Sequence, residues 1–281
     1  MANVLAKRAS RLLSGTRRIV SKRLFFAPDR HRDIYLASFP RSGNTWIRAI
    51  IYTLLNGEPP ASLGAINELV PDAYLLLPKR EVVPRPFYVV KTHEPYRTGG
   101  PKRAIYVLRE PKAVFRSHYG YLKLNWIRDV ELTRLAGDWT TGRVWPGSWN
   151  EHVTSWLVSN SHAEVLLIQY DELKSAPVNG IRAMAAFIGA PVSAERAEAI
   201  SGLTTIADMK RLEESGVGRH SDKRFIATGV GELPPEVSEL IDVACGGVWS
   251  KFGGRGAHSV VSHPDGSRRV FSAAEGAFVP L

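Results

Sequence analysis

Within Phe39-Pro40-Arg41-Ser42-Gly43-Asn44-Thr45-Trp46 a guanidinium, two hydroxyls and a single glycine are crowded into one short stretch. Ile34, Tyr35 and Leu36 before it are strand formers, Pro40 interrupts a continuing ladder, and from Thr45 to Leu55 the apolar residues recur at helical spacing. The stretch reads as strand, tight turn and helix start. The first N–H groups of a helix lack intrahelical acceptors, and the helix dipole favours negative charge there, so such a turn is an anion site. Arg41, Ser42 and Thr45 suit a phosphate or a sulfate. The plainer reading is an ordinary strand-to-helix turn capped by Ser or Thr.

Two more strand-like runs end in charged residues. Phe87–Lys91 runs into Thr92-His93-Glu94-Pro95, and Ala104–Leu108 into Arg109-Glu110-Pro111. In open parallel sheets ligands collect beyond the carboxyl ends of the strands, so Arg41, Lys91, His93 and Arg109 are expected to converge. A neutral imidazole can take a proton near neutrality, and fixed cations can stabilise charge growing on a leaving oxygen. Structural roles at strand ends are the alternative for His93 and Arg109, as simple core packing is for Trp46 and Tyr170.

The elements that must position these residues alternate. Further helices are predicted over Lys112–Leu122, from the capping-box residues Ser148 and Glu151 to about Ser159, and over Pro177–Ile188, Ser193–Ile200 and Glu236–Phe252, with a buried strand at Val165–Tyr170. Alternation without an internal repeat predicts an α/β three-layer sandwich with a central parallel sheet. Residues 1–30 form a basic amphipathic arm, 31–254 the main domain, and 255–281, which lack a strong period, a loosely ordered tail. Pro59–Arg85 is loop-rich and expected to face substrate. Lys123–Trp145, polar with interspersed aromatics and Gly137 and Gly142, is expected to be a mobile flap.

Across 281 residues, 37 Lys and Arg against 27 Asp and Glu suit an anionic ligand, a membrane surface or nucleic acid without choosing among them. Part of the excess lies in the arm, where Lys7, Arg8, Arg11, Arg17, Arg18, Lys22 and Arg23 accompany an apolar stripe able to rest on anionic lipid. No aromatic-rich basic stripe appears, so nucleic acid is not an expected partner. Cys245 is the single cysteine, which rules out an intramolecular disulfide or a Cys-based zinc site; no metal is expected. No run approaches the roughly eighteen apolar residues of a membrane span. The expected location is the cytoplasm, with peripheral membrane contact through the arm.

The turn is not a nucleotide-triphosphate P-loop, which needs G-x-x-x-x-G-K-[ST]. Here the cation precedes a lone glycine, so a kinase or nucleotide hydrolase is the weaker alternative. No G-x-G-x-x-G follows a predicted strand, and a dinucleotide fold is unsupported.

Taken in order, the motifs resemble those of the sulfotransferases that use 3′-phosphoadenosine 5′-phosphosulfate, of the cytosolic and bacterial type. Phe39–Trp46 matches the family's first loop, Lys91–Pro95 its Lys-Thr-His-x-Pro, and Tyr106–Lys112 with Ser117 its third motif. Gly147–Val153, Tyr170–Leu173 and Thr204–Lys210 follow in family order. The resemblance covers about Asp33 to Phe252 and implies a P-loop-like sulfotransferase fold. It also implies that Arg41, Ser42, Gly43, Asn44, Thr45 and Trp46 hold the 5′-phosphosulfate, with Trp46 near the adenine. Arg109 and Ser117 would hold the 3′-phosphate, Tyr170 and Thr204 line the adenine pocket, His93 act as base and Lys91 stand beside the transferring group. The implied reaction moves a sulfuryl group to a hydroxyl or amine of a small-molecule, glycan or lipid acceptor, leaving adenosine 3′,5′-bisphosphate, without metal. Two departures stand out. Arg41 replaces the usual lysine, giving a charge clamp rather than a proton donor. The late Arg-Lys-Gly-x-x-Gly motif aligns its basic pair with Ala227-Thr228, leaving Arg219, Lys223 or Arg224 as candidate replacements.

Overall fold

The computed structural model describes residues 26–75, 77–78, 82–126, 129–160, 162–216, 224, 226, 231–253 and 260–281. The N-terminal arm up to residue 25, Arg219, Lys223 and Ala227–Gly229 lie outside the described residues.

Four strands make the parallel part of one sheet: β1 (Ile34–Ser38), β2 (Val89–Thr92), β3 (Arg103–Leu108) and β4 (Glu164–Gln169). Their order is β2-β1-β3-β4, with Ala37 level with Thr92 on one side and Tyr106 on the other. β1 is therefore flanked by strands reached in opposite directions, and the crevice beyond its carboxyl end is the switch point where such sheets bind ligands.

Successive side chains of each strand point to opposite faces, and the core divides accordingly. Ile34, Leu36, Ile105, Val107, Leu166 and Ile168 pack under α1 (Asn44–Asn56), α7 (Pro177–Phe187) and α8 (Ala194–Leu203). Ala37, Ala104, Tyr106, Leu108, Val165 and Leu167 pack against α3 (Pro111–Asn125), α4 (Leu132–Thr140), α5 (Trp149–Leu157) and α10 (Pro235–Phe252). Shorter helices complete the chain: α2 (Ile66–Leu69), α6 (Tyr170–Ser175) and α9 (Ile206–Glu214). The three layers match the sandwich expected from the alternation of elements.

Two stretches differ from expectation. The segment expected as a mobile flap contains α4, whose Leu132, Leu135, Ala136 and Trp139 follow helical spacing. Glu131 caps it by accepting from the N–H groups of Thr133 and Arg134 at 2.8 and 2.7 Å, and Trp139 is fully buried. The tail expected to be loose instead adds β5 (Val260–Ser262), β6 (Arg268–Ser272) and β7 (Ala277–Pro280) as an antiparallel extension beside β4. Its legible signal was Asp265-Gly266, a hairpin pair. Gly266 sits at φ 83°, and His263 and Ser267 close the turn with an N–H to carbonyl bond of 3.0 Å.

Trp139 tests the corrected reading of the flap. Trp139→Ala should cost about 3–5 kcal/mol and lower the melting temperature clearly, as measured by calorimetry; a surface flap would lose almost nothing.

Candidate active site

The turn after β1 is tight because of two unusual residues. Gly43, at φ 94°, is the N-cap of α1, and a Cβ there would run into the ring of Tyr170. Arg41, at φ 74°, occupies the left-handed region that side chains other than glycine avoid. Its neighbours hold it there. Arg109 Nη1 donates to Arg41 O at 3.0 Å, and Arg41 Nε donates to Ser117 Oγ at 3.2 Å. The Arg41 guanidinium also lies 4.7 Å from the centroid of the Tyr121 ring. Burial, opposed by Tyr121 and helped by the charge of Arg109, pulls the Arg41 pKa down to about 10, so the group remains cationic at neutral pH. Two arginines from two strand–helix junctions and a serine from within α3 thus meet at one place.

His93 follows β2. Its Nδ1 lies 2.8 Å from Ser38 O. A carbonyl only accepts, so Nδ1 carries the proton and Nε2 keeps its lone pair. Ser38 is itself steadied from the loop, because Asn44 Nδ2 donates to its hydroxyl at 3.1 Å. The Asn44 side chain therefore braces the site through β1. Burial first, and the charge of Lys91 second, hold the His93 pKa well below the usual histidine range, so the ring is neutral at pH 7.

The backbone around His93 is gripped by one face of α5. His152 Nε2 donates to His93 O at 3.1 Å, Trp156 Nε1 donates to Glu94 O at 3.0 Å, and Ser155 Oγ accepts from the Tyr96 N–H at 2.9 Å. The spacing of these three residues places them on one helix face. His152 Nδ1 is left to accept from the Tyr106 hydroxyl at 2.8 Å. From the opposite side the Tyr74 hydroxyl accepts from the His93 N–H at 2.8 Å. Tyr74 and Trp145, 42% and 51% exposed, place their rings 6.2 and 6.1 Å from the imidazole.

The three residues expected near an adenine lie together. Trp46 meets Tyr170 edge to face at 5.6 Å, and its Nε1 donates to Thr204 O at 2.5 Å. Arg109 stands 4.3 Å over the Tyr170 ring. The Thr204 hydroxyl donates to Ile200 O, so this residue offers its backbone and shape rather than a free hydroxyl. The buried Ser42 Oγ and Arg109 Nε have no hydrogen-bond partner among the described residues. Unpartnered donors of this kind fit an anionic ligand, since a buried polar group without a partner is costly.

Lys91 is the residue whose surroundings differ most from those of a free cation, for its ammonium is paired with Asp72 Oδ2 at 2.8 Å. Arg224 is exposed and its backbone exchanges hydrogen bonds with the Asn125 side chain. Sequence reasoning missed Ser38, Asp72, Tyr74, Trp145 and His152 as parts of the site. His152 stood inside a recognised motif; Asp72 and Tyr74 lie in a proline-rich stretch without period. Among the described residues, no cluster of three or more His, Cys, Asp and Glu side chains could hold a metal ion, and no helix is long and apolar enough to cross a membrane.

Sheet order and loop define an α/β protein with a tight strand-to-helix turn at the switch point, a neutral histidine on one side and an arginine on the other. The sulfotransferase domain family matches residues 31–251, and the chain belongs to that family. It is similar to mouse sulfotransferase 1B1, with 29% identity over 204 residues that cover 63% of this chain and 65% of the relative. Cytosolic sulfotransferase 7 of Arabidopsis thaliana is 28% identical over 251 residues, covering 75% and 77%. Mouse sulfotransferase 4A1 is 25% identical over 186 residues, covering 61% and 64%, so the chain spans just under two thirds of several curated relatives. Among solved structures, retinol dehydratase in complex with retinol and PAP shares the fold at a TM-score of 0.59 and 16% identity, covering 81% of this chain and 84% of that one. Mouse sulfotransferase SULT7A1 complexed with PAP does so at 0.54 and 22%, covering 78% and 85%.

Burial pushes His118 and His152 down to about 4, with the charge of Arg41 adding to the effect at His118. Both rings are neutral in the fold, whereas the unfolded chain takes up protons below about 6.5. Stability should therefore fall as pH drops from 6.5 towards 4, by at most about 1.4 kcal/mol per pH unit for each ring. Urea midpoints between pH 7 and 5 should show this decline, and His118→Gln should flatten it.

Proposed function

We propose that the chain is a sulfotransferase that moves a sulfuryl group from 3′-phosphoadenosine 5′-phosphosulfate to a hydroxyl or amine of an acceptor, with His93 as base. One observation carries the reading: a histidine fixed with Nε2 unprotonated, at the strand end beside an anion-binding turn. The donor supplies the sulfuryl group and a stable phosphate leaving group. His93 Nε2 takes the proton of the attacking hydroxyl, and its depressed pKa keeps it ready to do so at neutral pH. Backbone N–H groups at the start of α1, with Ser42 and Thr45, hold the 5′ end, and Lys91 stabilises the oxygens of the transferring group.

Arg109, Ser117 and Arg41 are proposed to gather at the 3′-phosphate. The hydrogen bonds joining Arg41 to Ser117 and Arg109 support this, and they allow Arg41 to stand in for the missing late basic pair. Trp46, Tyr170 and Thr204 enclose the adenine. The catalytic unit is residues 31–254, with β5–β7 appended to its sheet.

The acceptor is proposed to be a small molecule with an apolar ring. Tyr74 and Trp145, exposed beside His93, support it, and a retinol-bound relative shares the fold. Location in the cytoplasm, with the basic arm resting on a membrane, remains a proposal from sequence. No observation in the site favours a kinase or nucleotide hydrolase.

Thermal shift separates the readings. Adenosine 3′,5′-bisphosphate should raise the melting temperature without metal, and ATP with magnesium should not; stabilisation by ATP alone would reject the sulfotransferase. His93→Ala should lower sulfuryl transfer at least about 100-fold while the bisphosphate still stabilises the variant. Retained turnover would remove His93 as base.

A further inference from the structure

One carboxylate organises the floor of the site. Asp72 Oδ2 lies 2.8 Å from Lys91 Nζ, and Oδ1 accepts from the Tyr74 N–H at 3.0 Å. Lys91 Nζ stands 5.0 Å from the centroid of the Tyr74 ring, which itself stacks on His93. The Tyr74 hydroxyl holds the His93 N–H and donates to Glu94 Oε1 at 3.3 Å. Only 15% of the Lys91 side chain and 13% of that of Asp72 are exposed.

An ammonium withdrawn from water sheds its proton unless a counter-charge holds it. Among the described residues, the other groups facing Lys91 do not supply one. From α1 comes the buried Arg48, a second cation, hydrogen-bonded to the neutral acceptors Val70 O at 3.0 Å and Asn67 Oδ1 at 2.7 Å. From the end of β2 comes His93, a neutral ring. Asp72 is thus the anion shared by two shielded cations, and it also sets the backbone of Tyr74, whose hydroxyl reaches the His93 N–H.

We propose that Asp72 is a positioning residue for the reaction, keeping Lys91 charged and aimed and, through Tyr74, fixing the main chain of His93. The catalytic meaning rests on the role of Lys91 in sulfuryl transfer proposed above; the charge of Lys91 does not.

Trace acetylation of the full chain with acetic anhydride, read by mass spectrometry across pH, reports the titration of Lys91 without any acceptor. Wild-type Lys91 should titrate above neutrality despite its burial; a midpoint at or below pH 7 overturns the proposal. Asp72→Asn should lower the midpoint by about one pH unit or more, a tenfold loss of proton affinity, whereas Asp72→Glu should largely preserve it. Equal midpoints in wild type and Asp72→Asn overturn it too. Stabilisation by adenosine 3′,5′-bisphosphate checks that each variant is folded, and if Asp72→Asn does not fold, the wild-type curve still decides. With 2-naphthol as acceptor probe, Asp72→Asn should lose turnover as pH rises from about 7 to 9. Asp72→Asn combined with Lys91→Arg should regain it, since a guanidinium keeps its charge; no recovery counts against the proposal. A wild type that transfers no sulfuryl group would reject the sulfotransferase reading while the acetylation result still judges Asp72.

Discussion

Because β1 lies between β2 and β3 and runs parallel to both, the chain leaves all three strands on the same side of the sheet. The turn at Phe39–Trp46, His93 and Arg109 are the residues that happen to come next. Their meeting follows from strand register rather than from any attraction among them, since Arg41, Arg109 and Lys91 repel one another. The hydrophobic division of the two sheet faces fixes that register, because a slip of one residue would turn each buried set outward. Core packing thus holds together a cluster of like charges that would otherwise disperse.

Those cations are then handled differently. Arg41 lies against the ring of Tyr121 and Arg109 against that of Tyr170, Arg109 Nη1 also donates to Arg41 O, and Arg109 Nε has no hydrogen-bond partner among the described residues. Lys91 has a carboxylate, and Arg48 hydrogen-bonds to the neutral acceptors Val70 O and Asn67 Oδ1. Among the described residues, the unpartnered Arg109 Nε lies on the side of the site near α3 and α6, while on the side near α2 one carboxylate, Asp72, faces the two cations Lys91 and Arg48. An anionic ligand gains most on the first side, where binding satisfies donors that folding left unpaired.

The strand ends, the turn, the N-cap at Ser148 and the order of layers were legible because each depends on local pattern: period two in the strands, period three to four in the helices, and short-range caps. Asp72 and Tyr74 were not, because their importance comes from an isolated bridge to Lys91 across the loop. No periodicity records such a pairing. The stretch containing α4 misled for a different reason. Its glycines and aromatics suggest a loop when read as composition, and only the spacing of Leu132, Leu135, Ala136 and Trp139 shows a buried stripe. β5 to β7 are short, and their attachment to the sheet rests on β5, which pairs with β4 across a long stretch of sequence, Val165 with Ser262.

The grip of α5 on the segment after β2 falls on main-chain atoms: the carbonyls of His93 and Glu94 and the N–H of Tyr96. A backbone held this way keeps its path whatever side chain stands at position 93. The side chain at position 93 and the scaffold that presents it are thus written in separate residues, so that side chain can be exchanged as one exchanges a tool in its holder. A scaffold of that kind can acquire a new acceptor or lose its activity by changes at its surface while α5 and the sheet remain as they are.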